Sequence, residues 1–301
     1  MKLTKIVALT ACALVSPFVN AAGCPETVPN QGGFLGTINA PTMGLPVGLE
    51  SDGSGNLYLS GIGPSEVVLM RTNGTVISSF LPANTVNAIG VTFHPGLGIY
   101  LTDTGNQDVD LYTIAGNYVS SFSVSAQTTF PEGLTINPVN QEILVVDGAG
   151  GNKVSSYTTA GNFVQNFPIA GSSQDGVAYD PSRETFWVYS SGDDMVRQYD
   201  MNFTELRSFR GPICYNGLAG GEGVAVYKNT LYVVSAGSGV IASFDISGVP
   251  MKFDVLEYIN NEDDGTVVFI SKSKKTGSIG FEFLALLLGF GAISRLAKKR
   301  S

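Results

Sequence analysis

Five evenly spaced glycines constrain this chain more than any other feature. Gly48, Gly90, Gly133, Gly176 and Gly223 stand 42, 43, 43 and 47 residues apart, and each opens a short apolar run: GLES, GVTF, GLTI, GVAY and GVAV. A turn follows each run, at Asp52-Gly53, His94-Pro95, Asn137-Pro138, Asp180-Pro181 and Lys228-Asn229. A second apolar segment comes next: NLYLS, GIYLTD, EILVVD, TFWVYS and TLYVVS. A third begins at Val67, Val109, Val154, Val196 and Val240. Glycine turns such as Asn73-Gly74, Ala115-Gly116 and Ala160-Gly161 then lead to a fourth, which carries Phe80, Phe122, Phe167, Phe209 and Phe253.

Four strands in a unit of about 42 residues is the period of a propeller blade. One twisted four-stranded sheet cannot hide both apolar faces, whereas blades packed face to face around an axis can. The repeat therefore predicts an all-β fold, a β-propeller of four-stranded blades. The recurrent Phe residues and the second-segment aromatics Tyr58, Tyr100, Trp187 and Tyr232 read as core between blades. Both ends hold remnants of the repeat. Gly32 to Asn39 (GGFLGTIN) reads as a fourth strand, and Leu256 to Lys272 as a first strand, a turn and a second strand. Joined, they would form a three-stranded sixth blade and close the ring, which hides its edges. The expectation is six blades, five complete repeats plus one built from both termini, with five blades as the alternative.

The ends carry addresses. Lys2 and Lys5, the apolar stretch Ile6 to Val19 and the small-residue site Val19-Asn20-Ala21 make residues 1–22 a secretory signal peptide. An alternative reading of the same stretch is lipoprotein processing before Cys24. The propeller is expected over residues 23–272, followed by a linker or sorting motif at 273–278. An apolar helix with a basic end, Lys298-Lys299-Arg300, is expected over 279–301, long enough to cross a bilayer. This C-terminus is similar to bacterial sorting tails of the GlyGly-CTERM type, with Thr276-Gly277-Ser278 where that family has paired glycines. The resemblance implies envelope or surface delivery and a rhomboid-like protease that removes the tail; a plain membrane anchor is the alternative. Outside the leader, two cysteines stand, Cys24 and Cys214. An oxidising compartment permits a bridge between them, contributing roughly 3–5 kcal/mol; two unpaired thiols are the alternative.

Charge excludes one class of partner. Without the two end segments the chain holds 11 basic and 24 acidic residues, a net charge of −13. Such a surface repels nucleic acid and attracts cations. His94 is the sole histidine and occupies a turn slot, and no Ser stands in a G-x-S-x-G elbow, so neither a serine triad nor a His-rich zinc site is available. The Gly-rich AGGEGVAV and DGAGGN open no helix and are not phosphate loops. The sequons at Asn73 and Asn202 read as turn residues.

The stretch PEGLTINPVNQEILVVDGAGGNKVSSYTTAGNF and its counterparts resemble the NHL-repeat and SMP-30/gluconolactonase-like six-bladed propellers, over Gly32 to Lys272. The residues before the repeat glycines are Val47, Ile89, Glu132, Asp175 and Glu222. In a propeller the first strand starts at the mouth of the central channel, so Glu132, Asp175 and Glu222 are expected to face one another. Three adjacent carboxylates repel unless a positive or hydrogen-donating group sits among them. In SMP-30-like lactonases the equivalent positions supply carboxylates and an Asn to a divalent metal. The resemblance thus implies a metal site, for a Ca²⁺-like ion, at Glu132, Asp175 and Glu222. Val47 and Ile89 offer no counterpart to the Asn. Asp103 and Asp147, with Asp193 and Asp194 nearby, match the NHL position where Asp braces a loop through backbone N–H groups. The functional expectation is an exported binding module for a protein or glycan; the alternative is a metal-dependent lactonase-type hydrolase.

Overall fold

The computed structural model describes residues 32–215 and 217–251, and the backbone of three further strands within 254–287. Strand β1 (Gly33–Asn39) is followed by β2 (Leu45–Ser51), β3 (Asn56–Ile62), β4 (Glu66–Arg71) and β5 (Val76–Phe80), of which β2 to β5 form the first blade. The second blade is β6 (Ala88–His94), β7 (Gly98–Asp103), β8 (Asp108–Tyr112) and β9 (Tyr118–Ser123). The third is β10 (Pro131–Asn137), β11 (Glu142–Asp147), β12 (Lys153–Tyr157) and β13 (Phe163–Pro168). The fourth is β14 (Gln174–Asp180), β15 (Thr185–Ser190), β16 (Met195–Tyr199) and β17 (Glu205–Arg210). The fifth is β18 (Gly221–Tyr227), β19 (Thr230–Ser235) and β20 (Val240–Asp245), completed by β1 from the start of the chain.

The propeller therefore has five blades, and the six-blade expectation is corrected. The segment read as part of a sixth blade, Gly32 to Asn39, pairs antiparallel with β20, from Asn39 opposite Val240 to Gly33 opposite Asp245. It fills the fourth-strand slot that had been assigned to the segment of Phe253, a residue outside those described. The open edge of a three-stranded fifth sheet attracts a strand with free backbone groups, and the chain's own beginning supplies it. The other half of the supposed sixth blade, β21 (Asp254–Asn261) and β22 (Thr266–Lys272), pairs with β23 (Leu284–Leu287) in a separate three-stranded sheet. Within the span 23–272, β21 and β22 thus stand outside the five described blades. Leu284–Leu287, inside the span expected as a helix, are a strand, because their backbone groups pair with β22 instead of within a helix. No helix among the described residues is long and apolar enough to cross a membrane.

Packing agrees with a ring of five. Five of the hydrophobic clusters each straddle two successive blades: Tyr58 with Leu101, Tyr100 with Val145, Leu144 with Val188, Trp187 with Val233, and Tyr232 with Leu59. The last joins the fifth blade to the first. At the far end of the channel, buried Arg183 meets Asp180 at 3.0 Å and donates to the carbonyls of Lys228, Ile246 and Val249, stitching blade four to blade five.

The repeat glycines line the axis. A Cβ on Gly133 would stand 2.7 Å from the Asp175 carbonyl and from Gly176 Cα, and one on Gly176 would stand 2.7 Å from the Glu222 carbonyl. Gly223 faces the backbone of Val47 and Gly48 in the same way, so the circle closes at the fifth member. The neighbours are backbone and cannot rotate aside. Gly133→Ala is expected to lower stability by about 3 kcal/mol in urea unfolding. Gly96→Ala, whose Cβ meets only the His94 ring at 3.7 Å, should change it by less than about 0.5 kcal/mol.

Candidate functional site

All five first strands share one irregularity. The register against the second strand slips between Pro46 and Gly48, Ala88 and Val91, Pro131 and Leu134, Gln174 and Gly176, and Gly221 and Val224. Each slip holds the residue before the repeat glycine. A bulge there breaks the strict alternation of side chains and re-aims that residue. In blades one and two the re-aimed residues are Val47 and Ile89, which pack together with Ala236. In blades three, four and five they are Glu132, Asp175 and Glu222, each with a carboxylate oxygen within 4.8 Å of the others.

These acids share a poorly solvated spot. Glu132 and Asp175 are 8% and 7% exposed. Burial, then Asp175, holds the Glu132 carboxyl far above the ordinary carboxylate range, and Glu222 and Asp147 add to the effect. Burial likewise pushes Asp175 up to about 7, although a hydrogen bond shared with the Glu132 carboxyl opposes it, as do the Ser191 N–H, donating to Oδ2 at 2.6 Å, and the Ser191 hydroxyl, donating to Oδ1 at 3.1 Å. Glu222 rises to about 8 through burial and the neighbouring Asp175 charge. The charges that raise the three come from one another, Asp147 and Asp193, and all are negative. Glu132 Oε2 is buried with no hydrogen-bond partner among the described residues. An orphaned acceptor inside three acids marks a place for a cation. The donor set fits an oxygen-seeking ion such as Ca²⁺ in kind, though three carboxylates are fewer oxygens than that ion takes.

Asp103 accepts from the N–H groups of Val86, Asn87 and Gly105 at 2.8, 3.1 and 2.8 Å, tying two loops. Asp147 accepts from the Ala149 N–H at 3.2 Å and lies 3.9 Å from Lys153. Asp193 pairs with Arg197, while Asp194 accepts from the Tyr189 hydroxyl and from the N–H groups of Ile213 and Cys214. Cys214 is disulfide-bonded; Cys24, the expected partner, lies outside the described residues. His94 stays in its turn, with Nδ1 accepting from the Gly96 N–H and Nε2 2.6 Å from the Gln141 amide oxygen.

Sequence reasoning missed three contributors. Ser191 anchors Asp175 from the loop after β15, and nothing in its neighbours marks it. Gly148 leaves room for the Glu132 carboxyl, since any Cβ there would strike it; the Asp147-Gly148 pair was the visible signal. Glu50 reaches across the channel to the hydroxyls of Thr92 and Thr135, at 3.0 and 3.1 Å, and burial pushes it up to about 8. Aligning the repeats puts Glu50, Thr92 and Thr135 at one position, two residues after the glycine.

No protein-family model matches the chain, and neither does any curated protein. Among solved structures it is similar to a catalytically inactive virginiamycin B lyase from Staphylococcus aureus with quinupristin (16% identity, TM-score 0.45, 66% of this chain and 66% of the lyase). The chain thus spans just under two thirds of that lyase. It is also similar to a chain of a nidogen/laminin complex (16%, TM-score 0.49, 68% and 78%) and to a streptogramin B lyase (14%, TM-score 0.44, 78% and 80%). At this distance no residue role is carried over from them.

The raised carboxyls make stability depend on pH. A carboxyl whose pKa folding raises binds its proton more tightly in the folded state. The cluster's contribution to stability is fully present below the ordinary carboxylate range and is lost as pH rises through about 7 for Asp175 and about 8 for Glu222. The midpoint of thermal unfolding is expected to drop between pH 5 and pH 9. Glu50 and Asp110 contribute to the same fall, so the cluster is read from the difference: Glu222→Gln should flatten the slope, and an unchanged slope would refute the coupling.

Proposed function

We propose that the protein is an exported β-propeller that binds a protein or glycan ligand at the acidic end of its channel. The observation that carries the reading is the buried, unpartnered Glu132 Oε2 at the centre of three converging carboxylates. Folding does not need that arrangement, and it raises the free energy of the empty site. A ligand that brings positive charge or hydrogen donors relieves it. Support for a binder over a catalyst comes from what surrounds the cluster. The single histidine is held at the other end of β6 by Gly96 and Gln141, and the Ser191 hydroxyl donates to Asp175. Export rests on the sequence of residues 1–22, and envelope attachment on the resemblance of the C-terminus to sorting tails, with Thr276-Gly277-Ser278 as the segment a processing protease would read.

The second reading is a metal-dependent lactonase-type hydrolase in the manner of SMP-30-like propellers. The orphaned Oε2 favours it too. Glu132, Asp175 and Glu222 would hold the divalent ion, which would supply Lewis-acid polarisation of a carbonyl. The apolar Val47 and Ile89 deprive it of the neutral donor that the resemblance implies.

Fractionation tests export, and the metal and lactone assays separate the two readings. Fractionation of producing cells should recover the chain in the envelope with residues 1–22 removed; a cytoplasmic chain with an intact leader overturns export. Elemental analysis of the purified protein, together with a panel of lactones, tests the hydrolase. The binding reading expects turnover no greater than that of Glu132→Ala. Bound metal plus hydrolysis lost in that variant would establish the enzyme instead.

A further inference from the structure

The proposed binding site has a shape that selects its cation. The three carboxylates are within 4.8 Å of one another, and a primary ammonium presents three N–H donors in a tetrahedral array. Acceptors about 2.8 Å from such a nitrogen stand about 4.6 Å apart. One oxygen from each acid, all within 4.8 Å of one another, can therefore reach one N–H each, and Glu132 keeps its Oε2 buried without a partner beside them. A guanidinium is a planar fork suited to a single carboxylate in bidentate fashion and fits this three-sided cup poorly. Calcium takes six to eight oxygens, yet Val47 and Ile89, the other two residues at the equivalent position, and Ala236 beside them are apolar. Three acceptors and an apolar wall satisfy an ammonium completely.

The depth of the acids selects the rest of the group. Glu132 and Asp175 are more than nine-tenths buried, so the charge must arrive on a slender stem. A lysine side chain brings four methylenes behind its nitrogen, and these pack on the apolar wall. A chain-terminal amine is crowded by its own side chain and backbone. Two exposed apolar side chains belong to the loops that lead into β10 and β18. Phe130, 41% exposed, accepts from the Gly148 N–H at 3.0 Å through its carbonyl, and Gly148 abuts the Glu132 carboxyl. Ile213, 43% exposed, lies over Gly220, two residues before Glu222. The net charge of −13 over residues 23–278 draws basic partners towards it.

We propose that the channel mouth is a lysine socket for a partner protein: the ammonium sits among Glu132, Asp175 and Glu222, and apolar residues beside that lysine rest on Phe130 and Ile213. This deepens the binding reading above and rests on it.

Calorimetric titration of the purified full-length protein with four probes tests the socket. The probes are acetyl-Leu-Lys-Leu-amide, the same peptide with trimethyl-lysine, the same with norleucine, and calcium chloride. The lysine peptide is expected to bind. Its trimethyl form, equally charged but without N–H donors, should bind at least 10-fold more weakly, and the norleucine form undetectably. Glu132→Gln should weaken the lysine peptide at least 10-fold and Phe130→Ala about 5-fold, with far-UV circular dichroism confirming that each is folded. Glu222→Gln takes the place of Glu132→Gln if that variant does not fold. Equal affinity for the lysine and trimethyl-lysine peptides, or for lysine and norleucine, overturns the socket. Calcium binding without peptide binding also overturns it but leaves the mouth as a binding site. No binding of any probe sinks both the socket and the broader reading of the mouth.

Discussion

Backbone against backbone at the channel axis is the contact on which this molecule turns. Gly48, Gly90, Gly133, Gly176 and Gly223 let five first strands approach until each glycine meets the chain of the next blade. A methyl group at any of them would push two blades apart. Because the fifth glycine meets the first, the number of blades is set by the closure of this inner circle. The outer parts follow: each sheet presents apolar faces to both neighbours, and the interblade clusters fill the wedges between them.

The same close approach creates the electrostatic problem at the mouth. Bulges in the first strands aim one residue per blade at a confined volume. Where that residue is Val47 or Ile89, the confinement is favourable, since apolar surface leaves water. Where it is Glu132, Asp175 or Glu222, the ring holds acids that repel one another and have lost most of their hydration. Elsewhere in the channel the fold shows how a buried acid is satisfied: Glu50 takes hydrogen bonds from Ser51, Thr92 and Thr135. Glu132 lacks that treatment at Oε2. Two buried acids a few residues along the same channel, one fully bonded and one left open, separate a structural role from a receptive one.

Much of the blade was readable from the chain. The strands EILVVD, TFWVYS and TLYVVS have the bounds that their apolar runs suggested, and Tyr58, Tyr100, Trp187 and Tyr232 are buried between blades. The convergence of Glu132, Asp175 and Glu222 was also legible, because residues at one repeat position share one place around an axis. Ser191 was not, since it acts on an acid that only the fold brings near, and Gly148 showed only as half of an Asp-Gly pair. The blade count was misread because a leftover strand looks alike whether it completes an old sheet or starts a new one.

By itself the sequence determined the repeating unit, its four strands, its buried faces and the ring of positions before the glycines, since these depend on residue type at a fixed period. Only the tertiary structure decided that β1 closes the fifth sheet, that every first strand bulges at that ring, and that one oxygen of Glu132 is left without a donor. Closure, register and hydrogen-bond satisfaction depend on which distant backbone groups meet, and local residue patterns carry no record of that.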